Sequence, residues 1–307
     1  MGVTILNPFA SPMFLPSVAT LGGLLGAALA LLCVAERRHL GELRHRTLFR
    51  RWATWLTIGP IYALAIFGGE ATTLLLIGAL VLQGLREYAT LVGLPPPYRR
   101  VLVSTGLLGV GVAQVSREAF STLLPLLLIF ATLQPLLTRE RQTGIRHLAF
   151  AVLGFGYLPW LLAHFLWLSR EVAGGPGILL AIGLAVACSD VGAFLFGRRF
   201  GHRKLAPAIS PNKTWAGLAG NVLGAYVGLG LMGFGLPEAQ RPLLLATLPL
   251  VVALGAVWGD LLESALKREL GVKDTGCWLP GMGGLLDRID SLILTVPLAY
   301  YYLRVVV

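Results

Sequence analysis

Long apolar runs recur along this chain, and that recurrence limits the possible folds more than any other feature. Ten runs lie near residues 14–35, 53–69, 72–85, 101–116, 119–137, 147–168, 177–197, 215–235, 243–262 and 287–305. About 20 apolar residues in a helix cross a hydrocarbon core of about 30 Å. Within lipid, every backbone N–H and C=O must find its partner inside the protein, which a helix achieves. The expectation is an all-α, polytopic integral membrane protein with about ten transmembrane helices. The third and fourth runs are short for a full crossing, so they are tilted, longer than their apolar core, or re-entrant. Pro60, Pro159, Gly220, Gly224 and Pro297 fall inside runs. Neighbouring helices can satisfy the backbone groups that such residues free.

Composition agrees with this class. The chain has 307 residues, 56% of them hydrophobic, and a mean hydropathy of +0.75, far from a soluble domain. The net charge of +10 comes from basic residues placed between the runs. Membrane orientation and anionic headgroups explain that placement better than nucleic acid does. Cys33, Cys188 and Cys277 are far apart and form no CxxC pair; they read as packing residues, with no disulfide framework and no zinc site. His164 sits inside a run and reads as a hydrogen-bonded core residue. The first seventeen residues lack Lys and Arg, so no basic signal region precedes the first run, and Gly2 lacks the Ser or Thr that myristoylation needs.

Orientation follows from Lys and Arg. With the N-terminus outside, segments 36–51, 86–100, 138–146, 198–214 and 263–288 face the cytoplasm and carry 21 of the 25 basic residues. The asymmetry fits the rule that cytoplasmic loops are positive. Glu36–Trp52 reads as a basic loop or interfacial helix against the lipid surface. The chain divides into N-terminal helices, 1–146, and a C-terminal region, 147–307, that holds the chemically loaded segments. No soluble domain, linker or internal repeat is apparent.

The first such segment is Gly259–Asp290. Asp260, Ser264, Lys267 and Arg268 are spaced i, i+4, i+7 and i+8, so they share one helix face. That helix is expected to end near Gly271, with a Gly/Pro turn through Gly276, Pro280, Gly281, Gly283 and Gly284. A new helix begins around Leu286, with Asp287 and Asp290 on its first turns. Three carboxylates beside Lys267, Arg268, Lys273 and Arg288 suit a hard cation and phosphates. Asp274 and Glu263 are further candidates. The plainer alternative is a solvated loop with incidental ion pairs.

The second segment is Ser189–Asn221. Asp190 lies inside the seventh run, about two turns from its cytoplasmic end, where a carboxylate needs a cation, a donor or water. Arg198, Arg199, Arg203, Lys204 and Lys213 follow. Ser210 to Thr214 reads as a turn entering the eighth run. Thr214 can cap that helix, and a helix start beside Lys213 attracts phosphate. A positive-inside loop is the alternative.

Both segments carry a resemblance. From Ser264 to Asp290 the chain reads S-x-L-K-R-x4-K-D-x-G-x2-L-P-G-x-G-G-x-L-D-R-x-D, which resembles the signature of phosphatidate cytidylyltransferase (CDP-diacylglycerol synthase). Asp190, Ala193, Phe194, Gly197 and Arg198, then Leu205, Pro207, Ile209, Ser210, Pro211, Lys213 and Thr214, resemble a second motif of the same family, in the family's order. The resemblance covers roughly residues 145 to 305. It implies transfer of the cytidylyl group of CTP to phosphatidate, with release of pyrophosphate, at the cytoplasmic edge of the C-terminal half in the cytoplasmic membrane. It implies Asp260, Asp287 and Asp290 as metal-binding aspartates for Mg2+, with a second cation such as K+ admissible. It casts those three with Lys267 and Arg268 as catalytic. It casts Asp190, Ser210, Lys213, Thr214, Ser264, Lys273, Asp274 and Arg288 as substrate-binding. CTP, a phospholipid such as phosphatidate and membrane lipids are the implied partners, and a homodimer is admissible.

Two positions depart from the family. Met282 stands where the family usually has His between the glycines, and Ala216 where it often has an acidic residue. A phosphomonoester is already ionised near neutral pH, so a general base is less needed, and loss of the His is expected to cost about 10- to 100-fold without abolishing activity. The alternatives are a CDP-archaeol synthase, a CTP-dependent lipid or polyprenol kinase, an inactive paralogue, or a transporter with a midplane charged site.

Overall fold

The computed structural model describes residues 4–37, 47–138, 143–272, 275–276 and 283–307. The helices are α1 (Phe14–Ala35), α2 (Thr47–Phe67), α3 (Glu70–Leu91), α4 (Pro96–Val115), α5 (Arg117–Thr138), α6 (Gly144–Phe155), α7 (Leu161–Glu171), α8 (Gly175–Phe200), α9 (Trp215–Leu231), α10 (Arg241–Glu269) and α11 (Leu286–Val306). A π-helical turn, Gly156–Trp160, joins α6 to α7 and contains Pro159. Proline has no N–H to continue the ladder, and a π turn absorbs the misfit. Helical segments thus occupy all ten apolar runs. The two short runs belong to α3 and α4, of 22 and 20 residues, so they are longer than their apolar cores.

Among the described residues, six stretches are long and apolar enough to cross a bilayer: Phe14–Val34, Glu70–Leu91, Gly144–Glu171, Gly175–Phe200, Arg241–Glu269 and Leu286–Val306. α9 is shorter, at 17 residues. The chain is therefore a nearly all-helical membrane protein, and length with apolarity supports six crossings of the ten expected.

The all-α expectation needs one correction. Residues 204–214 form an antiparallel hairpin of β1 (Lys204–Ala206) and β2 (Ser210–Thr214), with Lys204 opposite Thr214 and Ala206 opposite Ser210. The sequence reading had a turn here. Pro207 and Pro211 bar a helix across this segment, and strand pairing satisfies the backbone instead. β2 runs directly into α9, where the Thr214 side chain accepts from Gly217 N at 3.0 Å, as its type and place predict.

Two close helix crossings shape the C-terminal region. A Cβ on Gly192 of α8 would lie 2.2 Å from the carbonyl oxygen of Gly220 of α9, so these backbones touch. A Cβ on Gly259 of α10 would lie 2.2 Å from the carbonyl oxygen of Asp290 of α11. α10 ends where expected. Gly271 takes a left-handed φ of 68°, and Val272 N donates to Lys267 O at 2.9 Å, a glycine-terminated helix end.

The main core joins both halves of the chain. Val81 and Leu85 of α3 pack in one buried cluster with Leu158, Leu162, Ile182, Ile293 and Val296. His164 is buried and bonded, with Nδ1 3.1 Å from Trp160 O and Nε2 3.2 Å from the Tyr301 hydroxyl, as expected of a core residue. Cys33 and Cys188 are free thiols, and Cys277 lies outside the described residues.

Candidate functional site

A cavity of about 460 Å³ opens between α8, the hairpin, α9, α10 and the first turn of α11. α8 contributes Asp190; the hairpin contributes Ser210, Lys213 and Thr214. α10 contributes Asp260, Glu263 and Lys267; α11 contributes Asp287, Arg288 and Asp290. Residues up to a hundred positions apart in sequence therefore share one wall. The Gly259 crossing is what sets Asp260 of α10 beside Asp290 of α11.

Ion pairs link the elements around the cavity. Lys213 Nζ lies 2.6 Å from Asp260 Oδ2, tying the hairpin to α10. Ser264 Oγ donates to Asp260 Oδ1 at 3.3 Å from behind. Lys267 Nζ sits between Glu263 Oε2, at 3.1 Å, and Asp287 Oδ1, at 2.8 Å. Asp287 Oδ2 accepts from Thr275 N at 3.1 Å, Thr275 Oγ1 at 2.9 Å and Gly284 N at 2.9 Å. Asp290 Oδ1 accepts from Ser291 N at 2.7 Å.

Nine of the thirteen residues singled out in the sequence line this cavity: Asp190, Ser210, Lys213, Thr214, Asp260, Lys267, Asp287, Arg288 and Asp290. Ser264 reaches it only through Asp260. Arg268 is exposed and turned away, its Nε donating to Ile209 O at 3.3 Å, so it fastens α10 to the hairpin. Lys273, Asp274 and Met282 lie outside the described residues. Sequence reasoning missed Asn221, which is 3% exposed on the cavity wall, and underrated Glu263, which is 2% exposed there. A polar side chain within an apolar run was the available signal for Asn221.

The charge balance bears on a cation. Five carboxylates, Asp190, Asp260, Glu263, Asp287 and Asp290, line the cavity with three bases, Lys213, Lys267 and Arg288. Excess negative charge in a wall of apolar helices is costly unless a cation shares it or some of the carboxyls hold protons. Glu263 Oε1 and Asn221 Oδ1 are buried with no hydrogen-bond donor among the described residues. Oxygen donors of this kind fit a hard divalent ion. Among the described residues no three Asp, Glu, His or Cys side chains form a complete metal-binding group. Mg2+ does not require one, since it keeps waters and takes one or two carboxylates together with phosphate oxygens. Asp290, which holds one backbone donor, suits that part, and Asp260 can take it once Lys213 leaves it for an anion. Ligation by Asp287 would require it to give up one of the four donors it already holds.

Chemically, the arrangement can hold anions and a cation side by side. Lys213, Arg288 and the start of α9 favour phosphate, and the carboxylate wall favours a metal. Among the described residues, no Ser–His or Cys–His pair lines the cavity.

Known proteins resemble this chain over most of its length. The family described as "Cytidylyltransferase family" matches residues 49–306. An Escherichia coli K12 protein named "Uncharacterized protein YnbB" is 34% identical over 265 residues, 83% of this chain and 86% of that protein. The phosphatidate cytidylyltransferase of Pseudomonas aeruginosa is 35% identical over 257 residues, 81% of this chain and 94% of its own length. That of Mycobacterium leprae is 39% identical over 140 residues, 46% of this chain and 45% of its own.

Proposed function

The chain belongs to the cytidylyltransferase family, and from that premise we propose that it converts CTP and phosphatidate to CDP-diacylglycerol and pyrophosphate. A phosphomonoester oxygen of the lipid attacks the α-phosphorus of CTP. The bond from that phosphorus to the bridging oxygen of the β-phosphate breaks, and pyrophosphate leaves. No covalent enzyme intermediate is needed, so the protein's work is positioning and charge stabilisation. The observation that carries this reading is that Lys213, Arg288 and the α9 start share one cavity with Asp190, Asp260 and Asp290.

Each group then has a part. Lys213 and Arg288 hold phosphate oxygens, and Lys213 exchanges its Asp260 partner for substrate. Asp260 and Asp290, with Glu263 and Asn221 adding oxygens, would hold Mg2+. Bound there, the ion would offset phosphate charge and stabilise the leaving pyrophosphate. Asp287 keeps Lys267 and the turn before α11 in place. The orientation rests on the basic residues: with α2, α4, α5 and α9 crossing as well, the cavity lies at the cytoplasmic edge of the cytoplasmic membrane.

The test is an assay of the detergent-purified protein with labelled CTP and phosphatidate. CDP-diacylglycerol and pyrophosphate are expected, and chelation of Mg2+ is expected to stop the reaction. A nucleoside diphosphate product would mean γ-phosphoryl transfer to the lipid, and absence of any CTP-derived lipid would overturn the reading. Within the same assay, Lys213→Ala is expected to raise the KM for one of the two substrates by about tenfold, the scale of one charge-assisted phosphate contact. Unchanged kinetics would return Lys213 to a purely structural pairing with Asp260.

A further inference from the structure

Glu87 stands in the last turns of α3, outside the two motif-bearing segments, and only 7% of it is exposed. It does not line the cavity. Its Oε1 accepts from Leu285 N at 3.0 Å and from Gln83 Nε2 at 2.9 Å, and its Oε2 accepts from Leu286 N at 3.0 Å. Those two amides open α11, and among the described residues no neighbouring side chain at that end caps them. A helix start leaves such N–H groups without partners and carries partial positive charge. A carboxylate from 198 and 199 residues earlier in the chain meets both needs.

The surroundings are built to admit this carboxylate. A Cβ on Gly284 would lie 2.6 Å from Glu87 Oε2, and one on Gly276 would lie 3.5 Å from Glu87 Oε1. Gly284 N and Thr275, beside those contacts, donate in turn to Asp287. The first turn of α11 then carries Asp287, Arg288 and Asp290 to the cavity.

We infer that Glu87 is a positioning residue. Its carboxylate anchors the start of α11, and through that turn it sets the Asp287–Lys267 pair, Arg288 and Asp290 at the cavity wall. It has a second consequence. The α11 amides already hold an anion, so substrate phosphate is directed to the other helix start at the site, that of α9 beside Lys213. The kinetic part of this inference rests on the cytidylyltransferase reading; the structural part does not.

The test compares Glu87→Gln with wild type by amide hydrogen exchange over residues 283–290 and by CTP kinetics. Gln keeps the shape but loses the charge and offers one acceptor oxygen to two amides. Exchange at Leu285 and Leu286 is expected to accelerate by at least about tenfold, the loss of a charge-assisted hydrogen bond. The kcat is expected to fall about 10- to 100-fold, as a misplaced catalytic turn would cause, with the KM for CTP and the thermal midpoint near wild type. Should Glu87→Gln fail to fold, Glu87→Asp retains the charge with a shorter reach and must show the same exchange signature. Wild-type exchange at 285–286 would overturn the inference. So would a kcat loss that only tracks a lower thermal midpoint. If the wild type makes no CDP-lipid, the exchange result alone decides the anchoring role, separately from the failed functional reading.

Discussion

Asp287→Asn is expected to lower kcat by about 10³-fold, the upper scale for removing one precisely placed electrostatic group, while the protein still folds and inserts. The wild-type carboxylate takes Lys267 Nζ on one oxygen and three donors on the other. Asn has a single acceptor oxygen, and its NH2 would face either the ammonium or the Thr275 and Gly284 donors. An unmet buried donor costs about 1–3 kcal/mol, so the turn shifts or Lys267 moves to Glu263 alone. Either outcome displaces the groups that start α11. Steady-state kinetics with CTP and phosphatidate, beside a thermal melt, checks the expectation. Turnover close to wild type would remove Asp287 from the machinery. The same substitution tests ligation and positioning alike, and Mg2+ titration separates them: a positioning residue lowers kcat without a matching rise in the Mg2+ requirement.

Gly259→Ala is expected to damage both stability and activity, although it adds one methyl group. The new Cβ would meet the Asp290 carbonyl oxygen at 2.2 Å, its carbon at 3.0 Å and Ser291 Cα at 3.1 Å. These are backbone atoms and cannot swing aside, so α10 and α11 must separate. Overpacking of this kind costs about 1–3 kcal/mol. A displacement of about 1 Å between Asp260 and Asp290 can cost about 10²-fold in rate. Gly78→Ala is the control: its Cβ meets nothing within 4 Å, and alanine in a helix interior is favoured by about 1 kcal/mol over glycine. Thermal melts in detergent and the CTP assay compare the two variants. A Gly259→Ala protein as stable and active as Gly78→Ala would show that the crossing does not set the site.

Much of the cavity's lining could be read in advance because its residues sit in local patterns. Thr214 caps α9 as its type and place suggest, and the i, i+4, i+7 spacing does put Asp260 and Lys267 on the cavity side of α10. The same spacing misled for Arg268, one residue further round, which meets the hairpin instead. The hairpin itself was missed because its strands are short and its prolines read equally well as a turn. Glu87 was passed over because nothing near it in sequence hints at a partner almost two hundred residues away.

The sequence by itself determined the helical membrane class, the places of the helices, where α10 stops and the family. Lipid demands continuous apolar helices with internally paired backbones, so those features are written locally, and the motif spacing is local too. Only the tertiary structure decided which charges share the cavity, that Asp287 is engaged by four donors, and that α3 anchors α11 through Glu87. Those outcomes depend on how closely helices approach at Gly192–Gly220 and Gly259–Asp290, and on crossings between residues far apart in the chain. Helix period and composition carry no record of such distances, because each helix specifies its own faces while its neighbours settle what those faces meet.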